Sequence, residues 1–185
     1  MKPRVLPILE TARLRLRPLT LDDAPRLHDL LDRDEAVWRF DPGYARPWEE
    51  RLVAVRRRLA QYETFGFGCY AAELRTTGEL IGQGGLSPYF FEHADGTHSL
   101  EFEVMYTLGS AYWGQGFATE LSEVWVRYAF REARLRRLVD CPHKANGASV
   151  RVLEKLGFRV EDDPLNDAYV IAVLEQPAAS SSSLT

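Results

Sequence analysis

Apolar and polar residues alternate with two different periods over the first third of the chain. Residues 13–17 alternate charged and apolar side chains, which predicts a strand with one exposed face. Thr20 and Asp23 have the spacing of a capping box with Asp in place of the usual Glu, and the apolar spacing that follows predicts a helix up to Leu31. Residues 47–62 carry apolar side chains at helical spacing and predict an amphipathic helix.

The other face of this second helix is basic. Arg51, Arg56, Arg57 and Arg58 lie there. A docking surface for an acidic partner is one interpretation, but charged residues on a helix most often form a solvated face. We therefore expect these four side chains to be exposed.

Three strands are predicted next, with no helix between them. They cover residues 67–74, 79–86 and 100–108. The Thr-Thr-Gly of residues 76–78 is typical of a tight turn, and residues 87–99 read as a longer polar loop. Strands joined without crossovers pair antiparallel, so an antiparallel sheet is expected here.

Strands and helices alternate in the last third of the chain. The pattern predicts a helix over residues 118–133, a strand over 137–141, a helix over 148–156 and strands near 158–161 and 169–174. Together with the preceding strands this is an α+β chain with a central, mostly antiparallel sheet.

Length and composition indicate one domain. The 185 residues suit a single globular unit, which we place at residues 11–175 after an N-terminal arm of residues 1–10. Residues 176–185 (QPAASSSSLT) have too few apolar side chains to order themselves, so a disordered tail is expected.

Charge and apolar content restrict the partners. The chain carries 23 basic and 27 acidic residues, a net charge of −4, which disfavours nucleic acid as a partner. No apolar run is long enough for a signal peptide or a membrane span, so we expect a cytoplasmic protein without a membrane partner. Cys69 and Cys141 lack metal-ligand spacing and the four histidines are scattered, so no metal is expected.

A glycine-containing segment follows the predicted antiparallel strands and opens a helix. Residues 112–120 read YWGQGFATE, and two glycines allow a sharp turn in which successive N–H groups point at one anion. The positive end of the helix dipole adds to this effect. The segment predicts a site for a phosphate-rich ligand, although a plain connecting turn would show the same residues.

Two common nucleotide motifs do not fit this segment. A dinucleotide-binding loop follows the first strand of a parallel unit, whereas here antiparallel strands come first and Thr119 replaces the third glycine. A P-loop needs a lysine, and the sequence has none between Lys2 and Lys144.

A second cluster, residues 146–158, has the signals of a short capped helix. Asn146 is a good N-cap and Gly157 a good C-terminal stop. Val150, Leu153 and Leu156 form one apolar side, so most of the cluster has a structural explanation.

Taken together, these segments resemble the GNAT superfamily of N-acetyltransferases, and most closely its ribosomal-protein-alanine N-acetyltransferase-like (RimJ/RimL-type) branch. The resemblance rests on LRLRPL (residues 14–19) before DDA (22–24), on the glycine loop, and on the late helix with Asn146 and the EKLGF of residues 154–158. It spans about residues 11–174. Three motifs in the family's order are far more specific than any one of them.

The resemblance implies the fold and the reaction. The fold would be the GNAT (acyl-CoA N-acyltransferase) fold, an α+β architecture with a mixed, mostly antiparallel sheet of about six to seven strands flanked by about four helices. The reaction would move an acetyl group from acetyl-CoA, as co-substrate, to a primary amine by direct attack. The alternative is a non-catalytic CoA-binding or regulatory module. Homodimers are frequent in the branch.

The resemblance also implies which groups hold acetyl-CoA. Backbone N–H groups of residues 114–118 would bind the pyrophosphate, and main-chain groups of residues 105–108 would pair with the pantetheine arm and polarise the thioester carbonyl. Asn146 would bond the arm, with Ser149 near the sulfur. The expected cofactor-binding residues are Met105, Tyr106, Thr107, Leu108, Trp113, Gly114, Gln115, Gly116, Phe117, Ala118, Thr119, Asn146 and Ser149.

Catalytic roles follow less completely. A protonated amine must lose a proton before it attacks, and Glu103, with Glu101 as the alternative, would accept it through water. Leu153 stands where many members carry a tyrosine acid, which leaves Ser149, Tyr106 or water to protonate the leaving thiolate. Met105 also replaces the glycine usual at its position.

The acceptor is the least determined part of the prediction. In this family the loop between the first two helices helps to form its pocket, and here that loop, residues 33–46, contains Trp38, Phe40 and Tyr44. These rings, with Glu101, would accept a cationic amine. Peptide N-termini, aminoglycosides, polyamines and amino acids all stay open.

Overall fold

The computed structural model of the chain describes residues 6–40 and 46–177. Part of the predicted arm, part of the predicted tail and Tyr44 therefore lie outside the described residues. Residues 9–10, which the sequence placed in the arm, form the first strand. The backbone N–H of Gln176, the first residue of the predicted tail, donates to the carbonyl of Arg136 over 2.8 Å.

The larger sheet contains five antiparallel strands in chain order. These are β1 (Leu9–Glu10), β2 (Leu14–Pro18), β3 (Cys69–Leu74), β4 (Leu80–Glu92) and β5 (His98–Leu108). The expected antiparallel pairing of the consecutive strands is thereby confirmed.

The prediction of a long polar loop over residues 87–99 is wrong. β4 and β5 continue through it as a hairpin that pairs as far as Glu92 and His98, and only residues 93–97 form the turn. The Tyr-Phe-Phe of residues 89–91 favours strand over loop. Pro88 is tolerated because β3 pairs with β4 only up to Gly85, so no third strand needs its missing N–H.

A second sheet has three antiparallel strands in the order β6-β8-β7. They are β6 (Arg137–Asp140), β7 (Arg159–Asp162) and β8 (Val170–Glu175). β6 packs beside β5, and Arg137 near its start donates to the Glu101 carboxylate over 2.5 and 3.1 Å. Within the described residues no backbone pairing joins β5 to β6.

The first helical segment is short and irregular. A 3-10 turn, Leu21–Asp23, leads into α1 (Ala24–Leu27), which continues as a π-helical turn, His28–Asp32. The Thr20 N–H donates to the Asp23 carboxylate over 2.8 Å, which is one half of the predicted capping interaction.

Four further α-helices are present in residues 6–40 and 46–177: α2 (Glu35–Trp38), α3 (Trp48–Phe65), α4 (Phe117–Arg131) and α5 (Gly147–Lys155). That part of the chain therefore holds eight strands and five α-helices, close to the expected numbers.

Helices cover both faces of the larger sheet. Successive side chains of β3 point to opposite faces, and each set packs into its own apolar core. Tyr70 joins a core that contains Leu121 and Trp125 of α4. Cys69 joins a second core that contains Val55 of α3 and the residues around α1.

The prediction that the basic face of α3 is solvated is wrong for two of its four arginines. Arg51 is 1% exposed and forms two hydrogen bonds of 2.6 Å with the carboxylate of Asp32, which is itself buried. Arg58 is half-buried and donates to Ser87 Oγ over 2.8 Å. Arg56 and Arg57 are exposed as expected. The difference arises because Arg51 faces Asp32 of the π-helical turn and Arg58 faces Ser87 of β4.

Candidate active site

The glycine loop has the conformation that its sequence requires. Gly114 has φ = 72° and Gly116 has φ = 81°, in the left-handed region that favours glycine. Gly116 immediately precedes α4, so the first N–H groups of that helix face the same side as the loop. The loop thus presents several backbone donors at one helix N-terminus, an arrangement that binds anions.

Arg13, the residue before β2, supports this loop. Its Nη1 donates to the Gln115 carbonyl over 2.9 Å, its Nε pairs with Glu120 over 2.6 Å, and its guanidinium lies 4.3 Å from the centre of the Phe117 ring. Sequence reasoning missed this role because Arg13 appears there only as one charged residue of an alternating strand.

A cavity of about 370 Å³ lies between the glycine loop, the end of β5 and α5, and we call it the glycine-loop cavity. It brings together most of the predicted cofactor-binding residues. Met105 lines a neighbouring cavity instead, and Gln115 turns away to donate to the Ala111 carbonyl over 2.9 Å. The predicted residues that line the glycine-loop cavity are Tyr106, Thr107, Leu108, Trp113, Gly114, Gly116, Phe117, Ala118, Thr119, Asn146 and Ser149.

Basic side chains on the wall of this cavity were not predicted. Arg39, Arg151 and Lys155 line it and make it suited to a polyanionic ligand. Arg151 and Lys155 are four residues apart on α5 and share one face. The i,i+4 spacing of these two basic residues could have predicted a basic face on this helix. The sequence analysis did not use it, because caps and apolar positions already explained most of the segment.

The edge of β5 that faces away from β4 is open. β5 is the last strand of its sheet in the described residues, so main-chain groups of residues 105–108 lie on an edge where an extended ligand could pair. One of these groups is engaged, because the indole N–H of Trp113 donates to the Leu108 carbonyl over 2.8 Å.

A second cavity, of about 310 Å³, adjoins the first, and we call it the carboxylate cavity. Tyr106, Asn146 and Ser149 line both cavities. The hydroxyls of Tyr106 and Ser149 share a hydrogen bond of 2.9 Å. Burial raises the pKa of Tyr106, so its hydroxyl keeps its proton at neutral pH.

Two carboxylates lie in the carboxylate cavity, and one of them was not predicted. Glu103 of β5 lines it as expected, together with Asp140, the last residue of β6. Burial holds the pKa of Asp140 well above its usual range, and the negative charge of Glu103 raises it further. A single aspartate at a strand end gives no sequence pattern, which is why Asp140 was missed.

The predicted acceptor-binding residues have different outcomes. Trp38 and Phe40 line the carboxylate cavity, where Trp38 donates to the Leu31 carbonyl over 2.9 Å and Phe40 stacks on His143. Tyr44 lies outside the described residues. Glu101 lines neither cavity and is bound to Arg137 and Ser99, so we leave it out of the site proposed below.

Neither cysteine is activated. Burial raises the pKa of both Cys69 and Cys141 to about 11, so both thiols are protonated at neutral pH and are poor nucleophiles.

Among residues 6–40 and 46–177, no three Cys, His, Asp or Glu side chains form a group that could hold a metal ion. In the same part of the chain, no helix has the length and apolar content needed to cross a membrane.

Comparison with known proteins decides the family. The family model of the Acetyltransferase (GNAT) domain matches residues 13–159. The chain belongs to the GNAT acetyltransferase family. An uncharacterized N-acetyltransferase of Bacillus subtilis (strain 168), YoaA, is 31% identical over 157 residues, which cover 85% of each protein.

Solved structures agree with this assignment of the GNAT chain. An acetyltransferase from Agrobacterium tumefaciens (strain C58) superposes with a TM-score of 0.76 at 27% identity, over 93% of this chain and 96% of that one. RimL, a ribosomal L7/L12 α-N-protein acetyltransferase in complex with coenzyme A, shares the fold, with a TM-score of 0.70 at 22% identity over 91% and 98% of the two chains. The GNAT chain is therefore an N-acetyltransferase.

Leu153 occupies the position at which many family members carry a tyrosine that acts as the general acid. Its side chain is fully buried in the core beside α4 and lines neither cavity. The polar groups at the boundary between the cavities include the hydroxyls of Tyr106 and Ser149.

Proposed function

We propose that this acetyltransferase moves the acetyl group directly from acetyl-CoA to a primary amine, without an acyl-enzyme. The observation that carries the proposal is the boundary at Tyr106 and Ser149, where a cavity rich in backbone donors and basic side chains meets a cavity with two carboxylates. Donor and acceptor would approach this boundary from opposite sides, which is the arrangement that direct transfer needs.

The glycine-loop cavity would hold acetyl-CoA. Backbone N–H groups of residues 114–118 would bind the pyrophosphate, and Arg39, Arg151 and Lys155 would contribute positive charge for the phosphates. The open edge of β5 over residues 105–108 would pair with the pantetheine arm and donate to the thioester carbonyl, where negative charge develops during attack.

Glu103 and Asp140 would take the proton from the acceptor ammonium. Two neighbouring carboxylates share protons, and the raised pKa of Asp140 brings a carboxylate closer to the working pH than an ordinary aspartate. We assign the base to this pair, directly or through a water.

Tyr106 and Ser149 would return a proton to the leaving thiolate. Their hydroxyls are hydrogen-bonded at the boundary between the cavities. Tyr106 keeps its proton at neutral pH because burial raises its pKa, so it can act as a donor.

A thiol-release assay with purified protein, acetyl-CoA and a panel of peptide and small-molecule amines tests the proposal. We expect release that depends on one class of amine. Intact-mass analysis after incubation with acetyl-CoA alone should show no acetylated protein. Tight CoA binding without turnover on any amine would favour the non-catalytic module, and a protein-bound acetyl group that chases into product would exclude direct transfer.

A further inference from the structure

Arg58 stands out among the residues of the carboxylate cavity. It lines the cavity, yet its hydrogen bonds go to neutral groups, Ser87 Oγ at 2.8 Å and Gln61 Oε1 at 3.4 Å. In the part of the chain that the structure describes, Arg58 forms no ion pair. The other half-buried or buried arginines of β2, α3 and β6, which are Arg15, Arg17, Arg51 and Arg137, each pair with a carboxylate.

The strand register places Arg58 beside the carboxylates. Ser87, which accepts from Arg58, is the cross-strand partner of Glu103, so the two side chains share one face of the sheet. The positive charge of Arg58 lowers the pKa of the buried Cys69 thiol and the negative charge of Glu103 raises it, so both charges lie near the same thiol. One cavity of about 310 Å³ thus has two arginines, Arg46 and Arg58, and two carboxylates on its wall.

Removing a guanidinium from water without an anionic partner is unfavourable, and a bound anion would relieve that cost. The planar guanidinium binds carboxylate and phosphate groups through two parallel hydrogen bonds. Ser87, itself buried, holds one nitrogen of Arg58 in place, which orients the group toward the cavity.

We propose that the acceptor is an amine that also carries a carboxylate or phosphate group, with Arg58 binding the anion and Glu103 and Asp140 facing the ammonium. This inference rests on the proposed function. The cavity has the volume of about ten water molecules, so both charges would belong to one small molecule or to one short end of a chain.

The test compares acceptors that differ only in the anion. Acetyl-transfer kinetics are measured for α-amino acids and their amides, for an aminoalkyl phosphate and its alcohol, and for an amidated peptide with an acidic second residue and its neutral analogue. We expect the anionic member of at least one pair to have a kcat/KM at least tenfold higher. The preferred pair identifies the anion as a free carboxylate, a phosphate or a peptide side chain.

Arg58→Gln should remove most of this preference, chiefly by raising KM for the anionic acceptor, while kcat/KM for the neutral member changes less than threefold. Arg58→Lys should retain part of it. Arg57→Gln, at an exposed position of the same helix, is the matched control and should behave as the wild type.

Equal use of charged and neutral members by the wild type would overturn the inference. So would an Arg58→Gln loss that is equal for both, because Arg58 would then serve only to balance the charge of Glu103.

Binding separates this inference from the proposed function. In thermal-shift titrations with CoA present, the anionic amine should stabilise the wild type and not the Arg58→Gln protein. If that holds without any turnover, the acetyl-transfer proposal fails while the anion site stands. If amines are acetylated but no anionic ligand shows Arg58-dependent binding, the anion site fails and acetyl transfer stands.

Discussion

The glycine-loop cavity and the carboxylate cavity share a boundary but are built in different ways. The first is formed largely by two continuous segments, residues 112–119 and 146–155, and much of its proposed recognition uses backbone groups. The second combines residues 103–107 and 140–143 with single side chains from distant positions, among them Trp38, Arg58 and Tyr169, and its proposed chemistry uses side chains.

This difference determines how each cavity should respond to substitution. Backbone donors survive most side-chain changes, so the glycine-loop cavity should be sensitive mainly where the backbone needs glycine. In the carboxylate cavity the functional groups are side chains, so a single substitution removes a functional group outright. The following predictions test this contrast, from the largest expected effect to the smallest.

The strongest effect is expected at Asp140. Asp140→Asn removes a proton acceptor but keeps the shape of the side chain, so kcat should fall by about 10²–10⁴-fold, the range for loss of general base catalysis. Acetyl-CoA affinity, measured by calorimetry, should stay within about threefold because Asp140 does not line the glycine-loop cavity. An unchanged kcat would remove Asp140 from the mechanism.

The pH profile distinguishes the two carboxylates. Because the charge of Glu103 raises the pKa of Asp140, Glu103→Gln should lower that pKa and move the acid limb of kcat/KM to lower pH. If Glu103 is itself the base, the limb should not move this way, and the loss of activity should be largest at low pH.

A buried ion pair joins α3, which carries Arg58, to the π-helical turn. Arg51→Met leaves the buried Asp32 carboxylate without its main partner and should lower the free energy of unfolding by about 3–5 kcal/mol, as for other broken buried pairs. Arg57→Met on the exposed side of the same helix should change it by less than about 0.5 kcal/mol. Urea denaturation measures both. A loss below about 1 kcal/mol for Arg51→Met would show that the pair does not stabilise the fold.

The hydroxyl pair at the boundary should act as one unit. Tyr106→Phe and Ser149→Ala each remove one partner of the 2.9 Å bond, and each should lower kcat by about 10²-fold, the lower end of the range for loss of a general acid. The double variant should be little worse than the worse single variant, because residues that act together are not additive. Effects that multiply would assign the two hydroxyls to separate steps.

The smallest effect is expected at the glycines. Gly114→Ala and Gly116→Ala force a side chain into positive φ, which should cost about 1–2 kcal/mol of stability, or about 2–8 °C in Tm. A bulkier Gly116→Val substitution would add strain without testing binding more cleanly. A few-fold loss of acetyl-CoA affinity should follow as the loop shifts.

Gly96 is the matched control for these variants. It also has positive φ, 79°, it lies in the β4–β5 turn, and a Cβ added there would meet no atom within 4 Å. Gly96→Ala should lose comparable stability and bind acetyl-CoA normally. If Gly114→Ala and Gly116→Ala also bind normally, the glycine loop is a connecting turn and the cofactor site lies elsewhere.

Features that depend on neighbouring residues could be predicted from the sequence alone. The glycine loop is one example, because positive φ at Gly114 and Gly116 is required locally. The cap is another, since the Asn146 side chain accepts from the Ser149 N–H three residues later. The antiparallel order of β3, β4 and β5 also follows, because short connections allow no crossover.

Only the tertiary structure decided which surfaces are covered and which side chains meet. A helical repeat shows that α3 has a polar face, but it cannot show that packing against the π-helical turn buries Arg51 while Arg57 stays exposed. The packing of β6 beside β5 likewise brings Asp140 to Glu103 across 37 positions of sequence. Such contacts depend on how distant segments pack, and the residues next to Asp140 in the sequence do not indicate that Glu103 lies nearby.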